Sequence, residues 1–192
     1  MKPCLLLLFY LLISYIASAQ VVLNGDFEKI DPKTKLPVGW NNLMGDKGNY
    51  DFKTDSNIGR QGKYAMTISS KNNDGNFGAV SCVMPYTFKG HQLQLKGFIK
   101  TEGVTGFAGL WMRIDGTAAF DNMQNQHLQG TTDWHEYTIT LPYDDRNAIN
   151  INVGALLSGK GKIWFDDIRL TLDGKPIEKA ALKAIELSTA QK

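Results

Sequence analysis

The chain has 192 residues, with 21 Lys and Arg against 19 Asp and Glu, a formal net charge of +2. So even a balance, with no long block of one sign, excludes a partner held by bulk charge, whether nucleic acid or an anionic membrane. Only two cysteines occur, Cys4 and Cys82, and Cys4 lies in the leading segment of the chain.

Lys2 precedes an apolar run from Leu5 to Ile16 and the small-x-small triplet Ala17-Ser18-Ala19. This is the pattern of a secretory signal peptide over residues 1–19, cut before Gln20, and the run is too short to span a bilayer. Cys4 lies ahead of the run, not at the cut, so the mature chain is expected to carry Cys82 alone. Cys82 alternates into an apolar strand and reads as a buried small hydrophobe. An exported chain without a disulfide must be held by a core and, where carboxylates gather, by an ion. The expected organisation is one domain over residues 20–175 and a tail over 176–192.

From Val21 to Asp173 helical periodicity is absent and short period-two runs alternate with Gly, Asn, Asp and Lys clusters. The predicted strands are Val21 to Leu23, Asp26 to Ile30, Tyr50 to Thr54, Tyr64 to Ser69, Phe77 to Met84, Gln92 to Lys100, Phe107 to Asp115, Ala118 to Met123, His135 to Leu141, Ile149 to Leu157 and Lys162 to Leu172. Turn signals separate them at Asn24-Gly25, Asn73-Asp74-Gly75, Lys89-Gly90, Asp115-Gly116, Asp144-Asp145 and Gly159-Lys160-Gly161. So many antiparallel strands form two packed sheets, and the fold class is all-β, a jelly-roll β-sandwich. Core candidates are Tyr64, Met66 and Ile68; Leu93, Leu95, Gly97 and Ile99; Ile149, Ile151, Val153 and Ala155; and Ile163 and Phe165, a set that breaks toward charge at Asp167. After Pro176, Ile177, Ala181, Leu182 and Ile185 recur at helical spacing, which predicts a short amphipathic helix or a linker.

Catalytic motifs do poorly. No His-Glu-x-x-His or Gly-x-Ser-x-Gly occurs, and the three histidines show no metal-ligand spacing. The run from Gly154 to Lys160 imitates a phosphate loop, but Gly161 stands where Ser or Thr is needed and the segment joins two strands, so it is a hairpin turn. Asp115 and Asp121 are two carboxylates near a Gly116 turn; turn formation explains them better than glycosidase chemistry.

Binding fares better. Read from Ala108, period two sends Ala108, Leu110, Met112 and Ile114 to one face and Gly109, Trp111, Arg113 and Asp115 to the other. An indole, a guanidinium and a carboxylate in a row, followed by Asp121, Asn122 and Gln124, have the chemistry of a polar ligand surface, with a carbohydrate as the fitting partner. The alternative is structural: Trp111 plugs a sheet edge and Arg113 bridges to Asp115 or Asp121. Trp40, Trp134 and Trp164 read as packing residues. A second constellation joins the two ends of the domain, where Asn24, Asp26 and Glu28 could meet Asp166 and Asp167 around a structural Ca²⁺.

The pieces LNGDFE, Gly39-Trp40, GFAGLWMRIDG, AFDNMQ, GTTDW and GKGKIWFDDIRL resemble a β-sandwich module of exported bacterial proteins. Such modules sit ahead of hydrolase domains of the erythromycin-esterase or tail-specific serine peptidase type, and beside some regulators. The module is similar to the galactose-binding-like jelly rolls that include carbohydrate-binding modules. The resemblance covers residues 21–175 and implies a non-catalytic accessory domain with ligand contacts on the concave sheet face or its loops. It also implies a structural calcium held by Glu28 and Asp167, with Asp26 adjacent. The tail from Asp173 looks like the entrance to a hydrolase partner domain, so the expected function is a secreted binding module, with a protein-interaction domain or the amino-terminal part of a hydrolase as the alternatives.

Overall fold

The computed structural model describes residues 23–45, 48–71, 76–85 and 87–180. The predicted signal peptide, Val21 and Val22, the Asn73-Asp74-Gly75 turn and the helical pattern beyond Ala180 lie outside the described residues.

Ten strands follow in chain order: β1 (Trp40–Gly45), β2 (Tyr50–Asp55), β3 (Ala65–Ser70), β4 (Phe77–Met84), β5 (Gln92–Ile114), β6 (Phe120–Asp121), β7 (Leu128–Pro142), β8 (Ile151–Ser158), β9 (Lys162–Leu172) and β10 (Lys175–Pro176). All pairings are antiparallel. They form one continuous ten-stranded sheet in the order β1-β4-β8-β5-β9-β3-β2, with β6 and β7 also on β5. The sheet curls because β5 serves two sets of neighbours. Its first half lies between β9 and β7, and its second half pairs with β8 and β6. Two layers result, β2-β3-β9-β5-β7 and β1-β4-β8-β5-β6, packed as a β-sandwich.

The inward set of each strand makes one core. Met66 and Ile68, Leu93, Leu95 and Ile99, Leu110, Met112 and Ile114, Val153 and Ala155, and Ile163 and Phe165 are all fully buried together. An aromatic cluster closes one end: Phe27 stands edge-on to Trp40 at 5.0 Å and to Phe165 at 5.4 Å. Each such pair contributes about 0.5–1.5 kcal/mol beyond the area it buries.

Several expectations are corrected. Gln92 to Lys100 and Phe107 to Asp115 are one strand, because the residues between them stay extended while the register slips three times against β7. Those slips bend the strand from one layer into the other. Asp26 to Ile30 is not a strand. Asn24 instead donates to the Lys29 and Val38 carbonyls and accepts from the Lys29 amide, which folds the segment into a turn. Only an isolated bridge from Ile30 to Pro37 remains. Ala118 to Met123 shrinks to β6 and a 3-10 turn over Gln124–Gln126, bracketed by positive φ at Met123 and His127. Strand β1 is unforeseen, since its Asn41 and Gly45 look like turn residues. Ile149 precedes β8 and is exposed.

Within β9 the inward parity changes from Ile163 and Phe165 to Ile168, Leu170 and Leu172. The cause is a register shift against β5 between Lys96 and Phe98, with Asp167 at φ 53. One extra residue flips every later side chain. The buried Asp166 carboxylate beside it accepts from the backbone amides of Arg60, Gln61 and Asp167. Burial still pushes its pKa up to about 6, against those hydrogen bonds.

Beyond β10, Ile177 begins a single 3-10 turn and is fully buried against the core, so the start of the tail docks on the sandwich. No helix among the described residues is long and apolar enough to cross a membrane.

Candidate functional site

The outward faces of β4, β8 and the second half of β5 share a surface that register dictates. Ser81 aligns with Gly154 and Gly154 with Trp111, while Phe77 aligns with Ser158 and Ser158 with Phe107. Gly154 makes room for the indole: a Cβ there would lie 2.5 Å from Trp111 Nε1. The indole spreads over that gap and donates from Nε1 to the Val80 carbonyl at 3.1 Å. Ala79 and Leu156 pack beside it, with Phe107 against them. The far wall comes from the loop after β6, which folds over Gly109 and is pinned by the buried Met123. The Met123 sulfur accepts the Leu110 amide, which ties the loop to β5.

Together these elements enclose a groove of about 290 Å³ lined by Phe77, Ala79, Phe107, Trp111, Phe120, Leu156, Asn122, Gln124 and Ser158. Small-ligand sites start at about 300 Å³. Phe77 is 43% exposed and Phe120 54%, which puts two aromatic rings in water at one concave site. Rings so placed gain most from a ligand that covers them.

The residues expected to bind are only partly brought together. Trp111, Asn122 and Gln124 line the groove. Arg113, Asp115 and Asp121 do not. Trp111 has the expected outward phase, yet it is 2% exposed and its N–H is consumed, so it is the floor and not a free stacking plate. Arg113 Nε donates to Asp115 Oδ1 at 2.7 Å, and Asn152 Nδ2 donates to the other oxygen at 3.0 Å. Partial burial works against the Asp115 charge, but Arg113 and Asn152 outweigh it and hold the carboxyl below its ordinary range. Asp121 accepts the Met123 amide and Asn122 accepts the Gln124 amide, two local turns that shape the wall. Asp115 and Asp121 are thus each tied to their own neighbours.

Phe77, Ala79, Phe107, Phe120, Leu156 and Ser158 are the lining residues that sequence reasoning did not place in a site. Their signal was present in β4, where Phe77, Ala79 and Val83 occupy the phase opposite the inward Val80, Cys82 and Met84. A strand apolar on both faces announces a second apolar surface.

The calcium expectation meets a divided set of carboxylates. Glu28 accepts the Lys63 and Tyr64 amides at 2.7 and 2.9 Å. Asp26 accepts the Glu28 amide, and Asp167 lies 3.6 Å from Arg169 Nε. Asp26 and Asp167 line one hollow with Glu178 and the cationic Lys29 and Arg169, without Glu28. Among the described residues, no three acidic, His or Cys side chains group to hold an ion. The arrangement does not fit Ca²⁺ held by that trio.

Comparison with known proteins supports the architecture. No family model matches the chain. Its fold is similar to that of the CBM22-1 xylan-binding domain of Paenibacillus barcinonensis Xyn10C, 16% identical, with TM-score 0.53 over 77% of this chain and 91% of that one. It is also similar to TmCBM61 solved with β-1,4-galactotriose, 15% identical, with TM-score 0.52 over 81% and 100%. A Stig cyclase from Fischerella sp. TAU, bound to an indole compound, shares the fold at 15% identity and TM-score 0.55 over 81% and 96%. What is shared is the fold. In sequence, 85 residues are 45% identical to an uncharacterized HTH-type transcriptional regulator, YbfP, of Bacillus subtilis (strain 168). That match covers 42% of this chain and 28% of the regulator.

Proposed function

We propose that the chain is an exported, non-catalytic binding module that takes a carbohydrate in the groove over β4, β8 and β5. The observation that carries this reading is the groove itself, in which exposed aromatic rings stand beside amide and hydroxyl groups. Phe77 and Phe120 offer apolar faces to the C–H face of a sugar ring, and Gln124, Asn122 and Ser158 offer hydrogen bonds to its hydroxyls. The xylan-binding and galactotriose-binding neighbours of the same fold support a sugar as ligand. Export is supported by the apolar run from Leu5 to Ile16 and the Ala17-Ser18-Ala19 triplet. Trp111, Arg113 and Asp115 act as scaffold in this reading: the indole N–H is spent on Val80, and Arg113 Nε and Asn152 hold the Asp115 carboxylate away from the groove lining.

Calorimetric titration of soluble xylan and galactan tests the site. The expected outcome is measurable binding that falls by roughly tenfold or more in Phe77→Ala/Gln124→Ala, about 1.4 kcal/mol per decade. Affinity that survives the double substitution places the ligand elsewhere.

A further inference from the structure

The chemistry of the groove says more about its ligand than that it is a sugar. Its polar equipment is sparse. The Trp111 N–H is spent on Val80, and Asn122 Oδ1 is spent on the Gln124 amide. No charged side chain lines the groove. The nearest charges along the β5 face, Arg113 and Asp115, are engaged with each other and with Asn152. The hydrogen bonding left for a ligand comes from the Asn122 and Gln124 amides and the Ser158 hydroxyl. A pyranose presenting hydroxyls all round would bury several without partners, which opposes binding.

The apolar equipment is ample. Two of the five exposed large hydrophobics of the described chain, Phe77 and Phe120, stand at this groove, above a floor of Trp111 and Leu156. Phenylalanine has no polar tip, unlike the tyrosine or tryptophan that would serve a polar ligand and an apolar one at once. With no cation lining the groove to sit over a ring face, these rings gain from apolar contact. The C–H face of one sugar ring covers little of two such rings, so a ligand that takes both Phe77 and Phe120 out of water carries further apolar surface.

Resting on the carbohydrate reading above, we propose that the groove recognises a sugar through an apolar substituent, an aryl or acyl group, which seats between Phe77 and Phe120 over the Trp111 floor while the amides hold the sugar ring. The test compares 4-nitrophenyl and methyl glycosides of xylose and of galactose by calorimetric titration of the intact chain. The aryl glycoside is expected to bind roughly tenfold tighter than its methyl counterpart, or better. Phe77→Ala and Phe120→Ala, each checked for an unchanged melting transition, are expected to collapse that ratio. Both rings are about half exposed and outside the core cluster, so truncating them removes no core contact. Equal affinities for the two glycosides, or a ratio that survives both substitutions, overturns the proposal.

The two readings fail separately. Xylan or galactan bound with no aryl preference removes the inference and leaves the carbohydrate module standing. Binding of 4-nitrophenol alone, with no dependence on the sugar, keeps the apolar subsite and removes the carbohydrate. No binding of any of these probes overturns both.

Discussion

Trp111 and Arg113 sit two residues apart on one strand face and have opposite energetic roles. The indole is sealed over Gly154, so Trp111→Ala opens a void and removes a donor to the Val80 carbonyl. Urea denaturation is expected to show a loss of about 3–5 kcal/mol. Arg113 and Asp115 are 43% and 31% exposed, and solvent screens their bridge. Arg113→Ala is expected to cost only roughly 0.2–1 kcal/mol in the same measurement. Similar losses from the two substitutions would contradict this division. Alternation along β5 was enough to place Trp111, Arg113 and Asp115 outward. It could not reveal that Gly154 lies opposite the indole, because the register of β8 against β5 is a non-local fact. Exposure was therefore misjudged where phase was right.

At the level of elements, β4 and β9 have the bounds that alternation and turn residues predict, Phe77–Met84 and Lys162–Leu172. Strong period-two runs between Gly-rich turns leave little room for another outcome. The apparent break toward charge at Asp167 is the visible trace of the bulge: apolar parity fails there because one residue has been inserted. The left-handed backbone at Asp167 gives a direct test. Asp167→Gly relieves the conformation while losing the contact with Arg169, and stability is expected to change by less than about 1 kcal/mol. Asp167→Val forces a β-branched side chain to φ 53 and is expected to cost about 1–3 kcal/mol more. Equal effects of Gly and Val would show that the bulge is not set by this backbone. Strands with ambiguous residues, such as β1 with its Asn41 and Gly45, are legible only once β4 is in place to pair with them.

For the whole molecule, the two-layer architecture could be read from strand number alone, whereas the curl of a single sheet through one long strand could not. With Cys82 buried and unpaired, stability rests on the core, and the thiol makes it depend on alkali. Burial pushes the Cys82 pKa from the ordinary 9.0 up to about 11. Between those values the unfolded chain releases a proton that the folded chain keeps, so stability falls as pH rises from about 9 to about 11. Burial raises Tyr137 and Tyr143 as well, so these phenols act in the same direction. Denaturation midpoints across that range are expected to decline less steeply in Cys82→Ala than in the parent chain. Identical slopes would mean that the thiol ionises as freely inside as outside.

One backbone, Gln92 through Ile114, contributes a rung to each layer and a wall to the groove. The strand that lines the groove is therefore covalently the strand that runs through the opposite layer. A ligand held there would bear on that shared strand, and slower amide exchange along Gln92 to Thr101, remote from the groove, is the expected sign of it.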